Sequence, residues 1–424
     1  MSATPSPSAQ SGSAHSGLPG LPGGRPLVPL RPWAGRHRNR RRVLAPVVLI
    51  VVMAALMTPL IGLTVLGAGP EPAALGTLFA FLPVVPVVAV FLWIDRWEPE
   101  PGRLLLMAFL WGAGVAALAA AISNFALNYA WSRTVGTELG DVVSTVVTAP
   151  FVEEAVKGAF LFVLLATRRR EVDGVVDGIV YAGLVGVGFA FSENILYLGT
   201  AIAEGGLQGG IMLFALRCVL SPFAHPIFTA MTGLAVGIMA RSRRRIRFVY
   251  PLAGYLAAVC LHGLWNASAS LLGQFGFFLV YAVFMVPVFA AMAMVVLWQR
   301  RREQRIVAGQ LPRFVAANWI APGEVRLLSS LAGRSGWRSA VKRRWGAEAA
   351  RAVRDYHTAV TELAFFYDRY QRGAIGYDAD HWRDDLITKV LEARERAVLH
   401  PRAMATAEEV SGPPPAHRAP EPIS

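Results

Sequence analysis

The chain has 424 residues, of which 54% are hydrophobic and 16% are charged, and its mean hydropathy is +0.44. This balance is too apolar for a soluble protein of this length and predicts an all-α, polytopic membrane protein. The net charge of +13 does not predict a nucleic-acid partner, because most arginines lie beside hydrophobic segments, where they report membrane topology.

The predicted elements begin with a tail and continue with membrane helices. Residues 1–42 are rich in Ser, Pro and Gly and end in basic residues, which predicts a disordered, basic cytoplasmic tail. The region 43–299 contains eight apolar windows long enough to span a bilayer. The sixth is too long for one straight helix, and Pro222 and Pro226 within it predict a broken or re-entrant stretch followed by a helix. The windows are 43–67, 73–94, 104–131, 143–166, 175–200, 208–240, 249–272 and 276–298.

Basic residues cluster on one side of these predicted helices. When eight helices alternate, the segment ends RHRNRRR (36–42), DRWEPEPGR (95–103), TRRR (167–170), RSRRRIR (241–247) and QRRREQR (299–305) fall on the same side. The opposite loops contain Arg133 and no other lysine or arginine. By the positive-inside rule, both termini are predicted to be cytoplasmic.

The sequence changes character after the last window. Residues 300–400 are amphipathic and mixed in charge, which predicts a small helical cytoplasmic region. Its basic run RSAVKRRW (338–345) is also suited to contact with anionic lipid headgroups. Residues 401–424 predict a second disordered tail. One helical stripe in the cytoplasmic region consists of Val353, Tyr356, Val360, Leu363 and Tyr367.

Four of the apolar windows carry polar side chains that lipid would not tolerate. A charge near the bilayer centre costs roughly 2.5–3.5 kcal/mol on insertion scales, so these groups are expected to face a polar interior and to be functional. At the helical rise per residue, they can meet in the outer half of the bilayer. They are Glu153, Glu154 and Lys157 in the fourth window, Ser192, Glu193 and Asn194 in the fifth, Arg217 and His225 in the sixth, and His262 and Asn266 in the seventh.

The spacing of these residues suggests their roles. Glu153 and Lys157 are four residues apart and share a helix face, whereas Glu154 is turned by about 100° toward a different neighbour. His262 and Asn266 are also four residues apart, so both can point into one cavity. A carboxylate beside imidazoles can activate a water, and an amide with a second imidazole can donate to a developing oxyanion.

We interpret the small residues in the same windows as packing residues. Gly183, Gly186 and Gly188 follow no predicted strand, so we interpret them as close helix packing and not as a nucleotide-binding loop. Cys218 and Cys260 have no zinc-type spacing and form no disulfide framework. We expect both cysteines to act as small apolar residues.

Two other functions are compatible with buried charges. The chain could be a transporter with a Glu/Lys/His proton relay, or a non-catalytic scaffold that presents residues 300–424 to cytoplasmic partners. A transporter is expected to show inverted repeats, but the polar residues cluster in windows four to seven and the first three windows lack counterparts. A scaffold would not need a complete acid, imidazole and amide set.

Several motifs in this region resemble the PrsW family of intramembrane proteases, which is related to the CAAX prenyl endopeptidases. The resemblance covers roughly residues 80–298 and rests on the order and combination of its motifs. These are DRWEPEP (95–101), EEAVK (153–157), DGIVYAGLVGVGFAFSENILY (177–197), SPFAHPIFTAMTGLAVG (221–237) and HGLWN (262–266).

The resemblance implies catalytic roles for the polar residues. Glu153 would be the general base that activates water, and Glu154 would orient or support it. Glu193 would take a position that is histidine in the prenyl endopeptidases, and His225 would complete the catalytic set. Oxyanion stabilisation would fall to His262 and Asn266, and Lys157 and Asn194 would support the site.

The resemblance leaves the cofactor open and suggests a substrate. Glu153, Glu193, His225 and His262 could hold a zinc ion, but no His-Glu-x-x-His motif is present, so we expect either no metal or one zinc. The implied substrate is a single-pass membrane protein, typically an anti-sigma factor, cut near its extracytoplasmic side. The expected location is the bacterial plasma membrane, with the lipid bilayer and no nucleic acid as partner.

Overall fold

The structure is a computed structural model that describes residues 40–97, 99–168, 171–172, 174–242, 247–373 and 379–398. The predicted tail 401–424 lies outside these residues. Residues 1–39 of the predicted tail 1–42 also lie outside them. The chain divides into a short first unit, Met1–Ala45, and a second unit, Pro46–Ser424. All contacts described below lie within the second unit.

The regular structure of the described residues is entirely helical, in agreement with the predicted all-α class. Four stretches are π-helical turns, in which the backbone contains extra residues: Trp111–Ala116, Ser144–Thr148, Ala215–Leu220 and Tyr281–Met285. The first helices of the membrane region are α1 (Arg40–Ala55), α2 (Thr58–Ala68), α3 (Pro70–Phe81), α4 (Val84–Ile94), α5 (Gly102–Leu110), α6 (Ala117–Val135), α7 (Thr137–Val143) and α8 (Ala149–Arg168).

The remaining helices complete the membrane region and form the C-terminal region. Pro322–Glu324 forms one turn of 3-10 helix before α14. The helices are α9 (Val175–Phe214), α10 (Ala224–Arg241), α11 (Val249–Leu271), α12 (Gly273–Val280), α13 (Val286–Ala316), α14 (Val325–Leu328), α15 (Leu331–Gln371) and α16 (Ala379–Val398).

Five helical stretches of the described residues are long and apolar enough to cross a membrane, which agrees with a polytopic membrane protein. The predicted fifth and sixth windows are joined in one of these stretches, and the fourth and seventh are not among them. The number of eight spans therefore stays a prediction. The five stretches are Ala45–Ala68, Pro70–Ile94, Gly102–Val135, Val175–Ala240 and Gly273–Ala316.

The predicted sixth window is broken, as its prolines indicate. The π-helical turn Ala215–Leu220 ends at a non-helical Ser221. A second non-helical residue, Gly206 with φ of 61°, lies between the fifth and sixth windows. Helix α10 then starts at Ala224. Pro222 lies in the break, and Pro226 lies in the first turn of α10, where a missing N–H leaves no helical hydrogen bond unmade.

Helix α9 is the central element of the membrane region. Every residue from 175 to 189 is buried, and the helix packs against α3, α5 and α10. The predicted close packing of its glycines is confirmed, because added Cβ atoms would collide with neighbouring helices. A Cβ on Gly188 would lie 1.9 Å from the carbonyl oxygen of Phe109, and one on Gly186 would lie 2.6 Å from Cα of Pro226.

The C-terminal helices form a hydrophobic core of their own. The predicted stripe on α15 is buried throughout and packs with residues from α13, α14 and α16. Trp97, in the loop after α4, is a member of the same core, and the guanidinium carbon of Arg334 lies 4.8 Å from the centre of its ring.

Burial and the charge of Arg334 keep the pKa of the His357 imidazole well below its ordinary value, so this ring is neutral.

The close approach of α9 to α10 predicts the effect of one added methyl group. Gly186→Ala is expected to lower the free energy of unfolding by about 1–3 kcal/mol, because backbone atoms of α10 cannot move away without repacking. Thermal unfolding of the detergent-solubilised protein measures this change. Gly205→Ala is the matched control on the same helix, because no atom lies within 4 Å of its added Cβ. Equal stability of the two variants would contradict the prediction.

Candidate active site

Five helices and one π-helical turn bring polar side chains together inside the membrane region. Helix α8 supplies two carboxylates and an ammonium group, and the other elements supply the groups around them. The cluster consists of Asn124 from α6, Glu153, Glu154 and Lys157 from α8, Glu193 from α9, Arg217 from the turn Ala215–Leu220, His225 and Thr229 from α10, and His262 from α11.

Glu154 is the most completely bound carboxylate of the cluster. It is fully buried, and its Oε1 accepts hydrogen bonds from Lys157 Nζ at 2.8 Å and from His262 Nδ1 at 3.0 Å. Its Oε2 accepts from the Thr229 hydroxyl at 3.0 Å. Both oxygens therefore have donors, which suits a positioning carboxylate.

Glu154 bonds to Thr229 and Glu153 to Asn124, as their different positions on the helix predict, but the two carboxylates also share Lys157. Lys157 lies 2.8 Å from Glu154 Oε1 and 3.5 Å from Glu153 Oε2. Residues three apart are neighbours on a helix surface as well as residues four apart. The long lysine side chain therefore lies between the two carboxylates and interacts with both.

Glu153 keeps one carboxylate oxygen without a hydrogen bond. Its Oε1 accepts from Asn124 Nδ2 at 3.2 Å. Its buried Oε2 has no hydrogen-bond partner among the described residues, although His262 Nε2 lies 3.7 Å away. A buried carboxylate oxygen of this kind is expected to bind a water, an ion or a substrate atom.

His225 joins Lys157 to a second acidic group. Lys157 Nζ lies 3.2 Å from His225 Nδ1, and an ammonium group can only donate, so Nδ1 is the acceptor. Nε2 of the neutral ring then carries the hydrogen and donates to Glu193 Oε2 at 2.8 Å. Arg217 also donates to Glu193.

His262 has its ring fixed in orientation by Glu154 and by aromatic neighbours. Because the carboxylate accepts at Nδ1, the hydrogen of the neutral ring is on Nδ1 and the lone pair of Nε2 points toward Glu153. The Phe228 ring stacks on His262 at a centroid distance of 5.2 Å. The His225 ring meets it edge-on at 5.0 Å.

The structure brings together most, but not all, of the predicted site residues. Asn194 lies one step outside the carboxylate cluster, where its Oδ1 accepts from Arg217 Nε at 2.7 Å. The hydrogen bond of Asn266 runs from its Nδ2 to the carbonyl oxygen of Thr145 at 2.9 Å. Within the described residues, Asn266 makes no hydrogen bond to the carboxylates.

Two residues of the cluster were missed by the sequence analysis. Asn124 in the third window donates to Glu153, and no site residue was predicted in that window. Thr229 bonds to Glu154 from one helical turn beyond His225, and this spacing of four residues was a usable signal. Arg217 was noticed as buried, but its partner Glu193 was not predicted.

Three of these residues could also approach one metal ion. Glu153, His225 and His262 each have one ligand atom within 4.8 Å of the others. Carboxylate and imidazole are ligand types that zinc accepts. The ammonium group of Lys157 lies within 3.5 Å of Glu153 and His225, so an ion bound here would lie beside a full positive charge.

The fold and this cluster define a polytopic helical membrane protein with a buried acid, imidazole and ammonium centre. Residues 100–292 match the family model described as PrsW family intramembrane metalloprotease. Every residue of the cluster, from Asn124 to His262, lies inside this match. Over this segment, the chain is similar to the PrsW family of intramembrane proteases.

Curated relatives show the same similarity. The chain is 28% identical to Protease PrsW of Geobacillus kaustophilus over 184 residues, which are 43% of this chain and 75% of the relative. It is 28% identical to Protease PrsW of Clostridioides difficile over 189 residues, 44% of this chain and 76% of that one. Protease PrsW of Shouchella clausii is 30% identical over 37% of this chain and 65% of its own length. No solved structure matches the chain.

The buried ammonium group predicts a large effect of its removal. Lys157→Met is expected to cost about 3–5 kcal/mol of stability, because it leaves buried carboxylates without their counter-charge. Thermal unfolding in detergent measures this loss. The double variant Lys157→Met/Glu154→Gln is expected to recover part of it, because one of the uncompensated charges is then removed.

Lys389→Met is the matched control for this experiment. Lys389 also pairs with a glutamate, Glu362, but half of its side chain is exposed. Its removal is expected to cost at most about 1 kcal/mol. If both lysine variants lose the same stability, the buried ion pairs of Lys157 stabilise the protein no more than the exposed pair of Lys389 does.

Proposed function

We propose that this protease hydrolyses peptide bonds of single-pass membrane proteins with Glu153 as the general base. The observation that carries the proposal is the buried Oε2 of Glu153, which lacks a hydrogen-bond partner among the described residues and has His262 Nε2 3.7 Å away. A water bound there lies beside both a base and a potential oxyanion donor.

The proposed reaction takes place beside two atoms, Oε2 of Glu153 and Nε2 of His262. Glu153 takes a proton from the water, whose oxygen attacks the carbonyl carbon of the scissile peptide bond. When the C–N bond breaks, the leaving amine takes the proton from Glu153. Because Glu153 is restored, the carboxylate acts first as base and then as acid.

The neighbouring groups stabilise the charge that develops. Glu154 is held by Lys157 and Thr229 and in turn supports a protonated His262, whose Nε2–H donates to the oxyanion. Asn266 lies one helical turn from His262, and the second N–H of its amide supplies a further donor. Glu193 holds His225 against Lys157, so its role is positioning.

The charge of the cluster favours a proton over a metal ion. Glu153, Glu154 and Glu193 carry three negative charges, and Lys157 and Arg217 carry two positive charges, which leaves one negative charge with neutral imidazoles. One proton on an imidazole neutralises this remainder, whereas Zn²⁺ would add an excess positive charge beside Lys157. This charge balance supports a metal-free mechanism, and no step above uses a zinc ion.

The substrate and location follow from the family and the topology. We propose cleavage of a single-pass membrane protein, such as an anti-sigma factor, near its extracytoplasmic side in the bacterial plasma membrane. Both termini are cytoplasmic by the positive-inside rule. The broken backbone at Ser221 supplies non-helical main chain that can line a water path to the site.

One observation favours proton transport as a second candidate. Glu193, His225, Lys157, Glu154 and His262 form a continuous chain of polar contacts, which is what a relay requires. Reconstituted vesicles loaded with a pH-sensitive dye separate the two functions, since a relay moves protons without any peptide substrate.

Removal of the base is the direct test of the protease mechanism. Glu153→Gln is expected to reduce cleavage of co-expressed single-pass membrane proteins by at least about 100-fold, because glutamine cannot accept the proton. Mass spectrometry of cleaved products from a substrate library provides the measurement. Glu204→Gln, which makes the same chemical change at an exposed position of α9, is expected to keep wild-type cleavage. Cleavage by purified Glu153→Gln protein at the wild-type rate would refute the role of Glu153.

The metal-free proposal predicts insensitivity to chelation. The purified enzyme is expected to retain its rate after dialysis against EDTA and to contain no stoichiometric zinc by elemental analysis. The opposite result would be one bound zinc per chain that is lost in His262→Ala, with activity restored to the chelated wild-type protein by added zinc. That outcome would mean that a metal centre activates the water, and not Glu153 alone.

A further inference from the structure

A cleft beside His225 is not explained by the hydrolytic residues themselves. One wall comes from the junction of α3 and α4, a second from α9, and a third from the break before α10. Its apolar lining includes Pro83, Val84, Val87, Ala190 and Phe191, and its polar end is formed by Asn194, Arg217 and His225.

The cleft reaches the catalytic cluster from its more open side. The Glu154 and Lys157 side chains are completely buried, whereas the Glu193 and Arg217 side chains remain 17% and 19% exposed. Since Arg217 and His225 line the cleft, the cleft reaches the cluster on the side of Glu193 and Arg217.

The rim of the cleft is suited to a partner that arrives from the bilayer. Leu82 and Val85, which flank the lining residues of one wall, are exposed apolar side chains. On the opposite wall, Val219 and Leu220 immediately precede the break and are also exposed. Exposed apolar side chains therefore adjoin the lining residues on both walls, as is expected of a surface that faces lipid.

We propose, on the basis of the protease function above, that this cleft is the subsite for one aliphatic side chain that flanks the scissile bond of the substrate. Apolar walls of proline, valine and alanine favour an aliphatic side chain by burial of apolar surface. Ala190 and Val84, from two different walls, determine the size that fits.

Arg217 adds a polar function at the inner end of the subsite. Its contacts to the described residues use two of its N–H groups, Nε to Asn194 and Nη2 to Glu193. A guanidinium group has five N–H donors, so the others can donate to main-chain carbonyl oxygens of an unwound substrate. A peptide bond must leave the helical conformation to be cut, and its freed carbonyl groups then need donors inside the membrane.

Two substitutions of opposite size test the subsite. The probe is a single-pass membrane protein that the wild-type enzyme cleaves, with each residue beside the mapped cut changed in turn to Ala, Leu and Phe. Ala190→Leu is expected to shift the kcat/KM ratio at one flanking position at least about 10-fold from Leu toward Ala. Val84→Ala is expected to shift it in the opposite direction, toward Phe. Leu196→Phe, on the exposed face of the same helix as Ala190, is the control that keeps the wild-type preference.

The outcomes separate this inference from the protease function. Opposite shifts at the same substrate position support the subsite. Wild-type preference in both active variants overturns the subsite and leaves the protease standing. If the wild-type enzyme cleaves no member of the substrate library, the proposed function fails and the subsite fails with it. If one of the two variants does not fold, the other is used alone. A shift in either variant identifies the wall that contacts the substrate side chain.

Discussion

The rest of the site depends on one buried ammonium group. Lys157 is completely inaccessible to solvent, and its Nζ lies within 3.5 Å of Glu153, Glu154 and His225. Two adjacent carboxylates in an apolar environment would repel each other and take up protons. The lysine allows Glu154 to act as an ion that orients His262, while Glu153 keeps one carboxylate oxygen without a hydrogen bond. One residue therefore creates the difference between the two glutamates.

This arrangement requires helices that approach more closely than ordinary side chains allow. Helix α10 carries His225 and Thr229, and it packs closely on α9 where Gly186 leaves room for the backbone at Pro226. The break at Ser221 has a related effect. It lets Arg217 come from a short helical turn, where it can bind Glu193 while α10 follows a separate direction. The packing and the charge pairing are thus produced by the same local features of the sequence.

The sequence predicted the ionised groups of the site better than their neutral partners, for a physical reason. A charge such as Lys157 or Glu193 inside an apolar window is costly, so its presence alone indicates a polar interior. Asn124 and Thr229 are tolerated in membrane helices at little cost, so composition does not mark them. Their roles depend on how each helix is rotated against its neighbours, and helical spacing alone does not determine that rotation. For the same reason, the spacing correctly placed Asn266 one turn from His262 but did not predict its bond to a backbone carbonyl.

The fold was predicted where apolar length dominates and was less determined where helices are interrupted. Windows of about 20 apolar residues specify spans, but π-helical turns such as Ala215–Leu220 shift which side chains face inward without changing composition. The loop between α4 and α5 shows the same limit. Trp97 enters the C-terminal core, while three residues later Glu100 accepts a hydrogen bond from Tyr181 on α9 at 2.7 Å. The C-terminal helices and the helix that carries Glu193 therefore meet on one short loop. A tryptophan and a glutamate in a loop predict neither contact, because each depends on a partner at least 80 residues away in the chain.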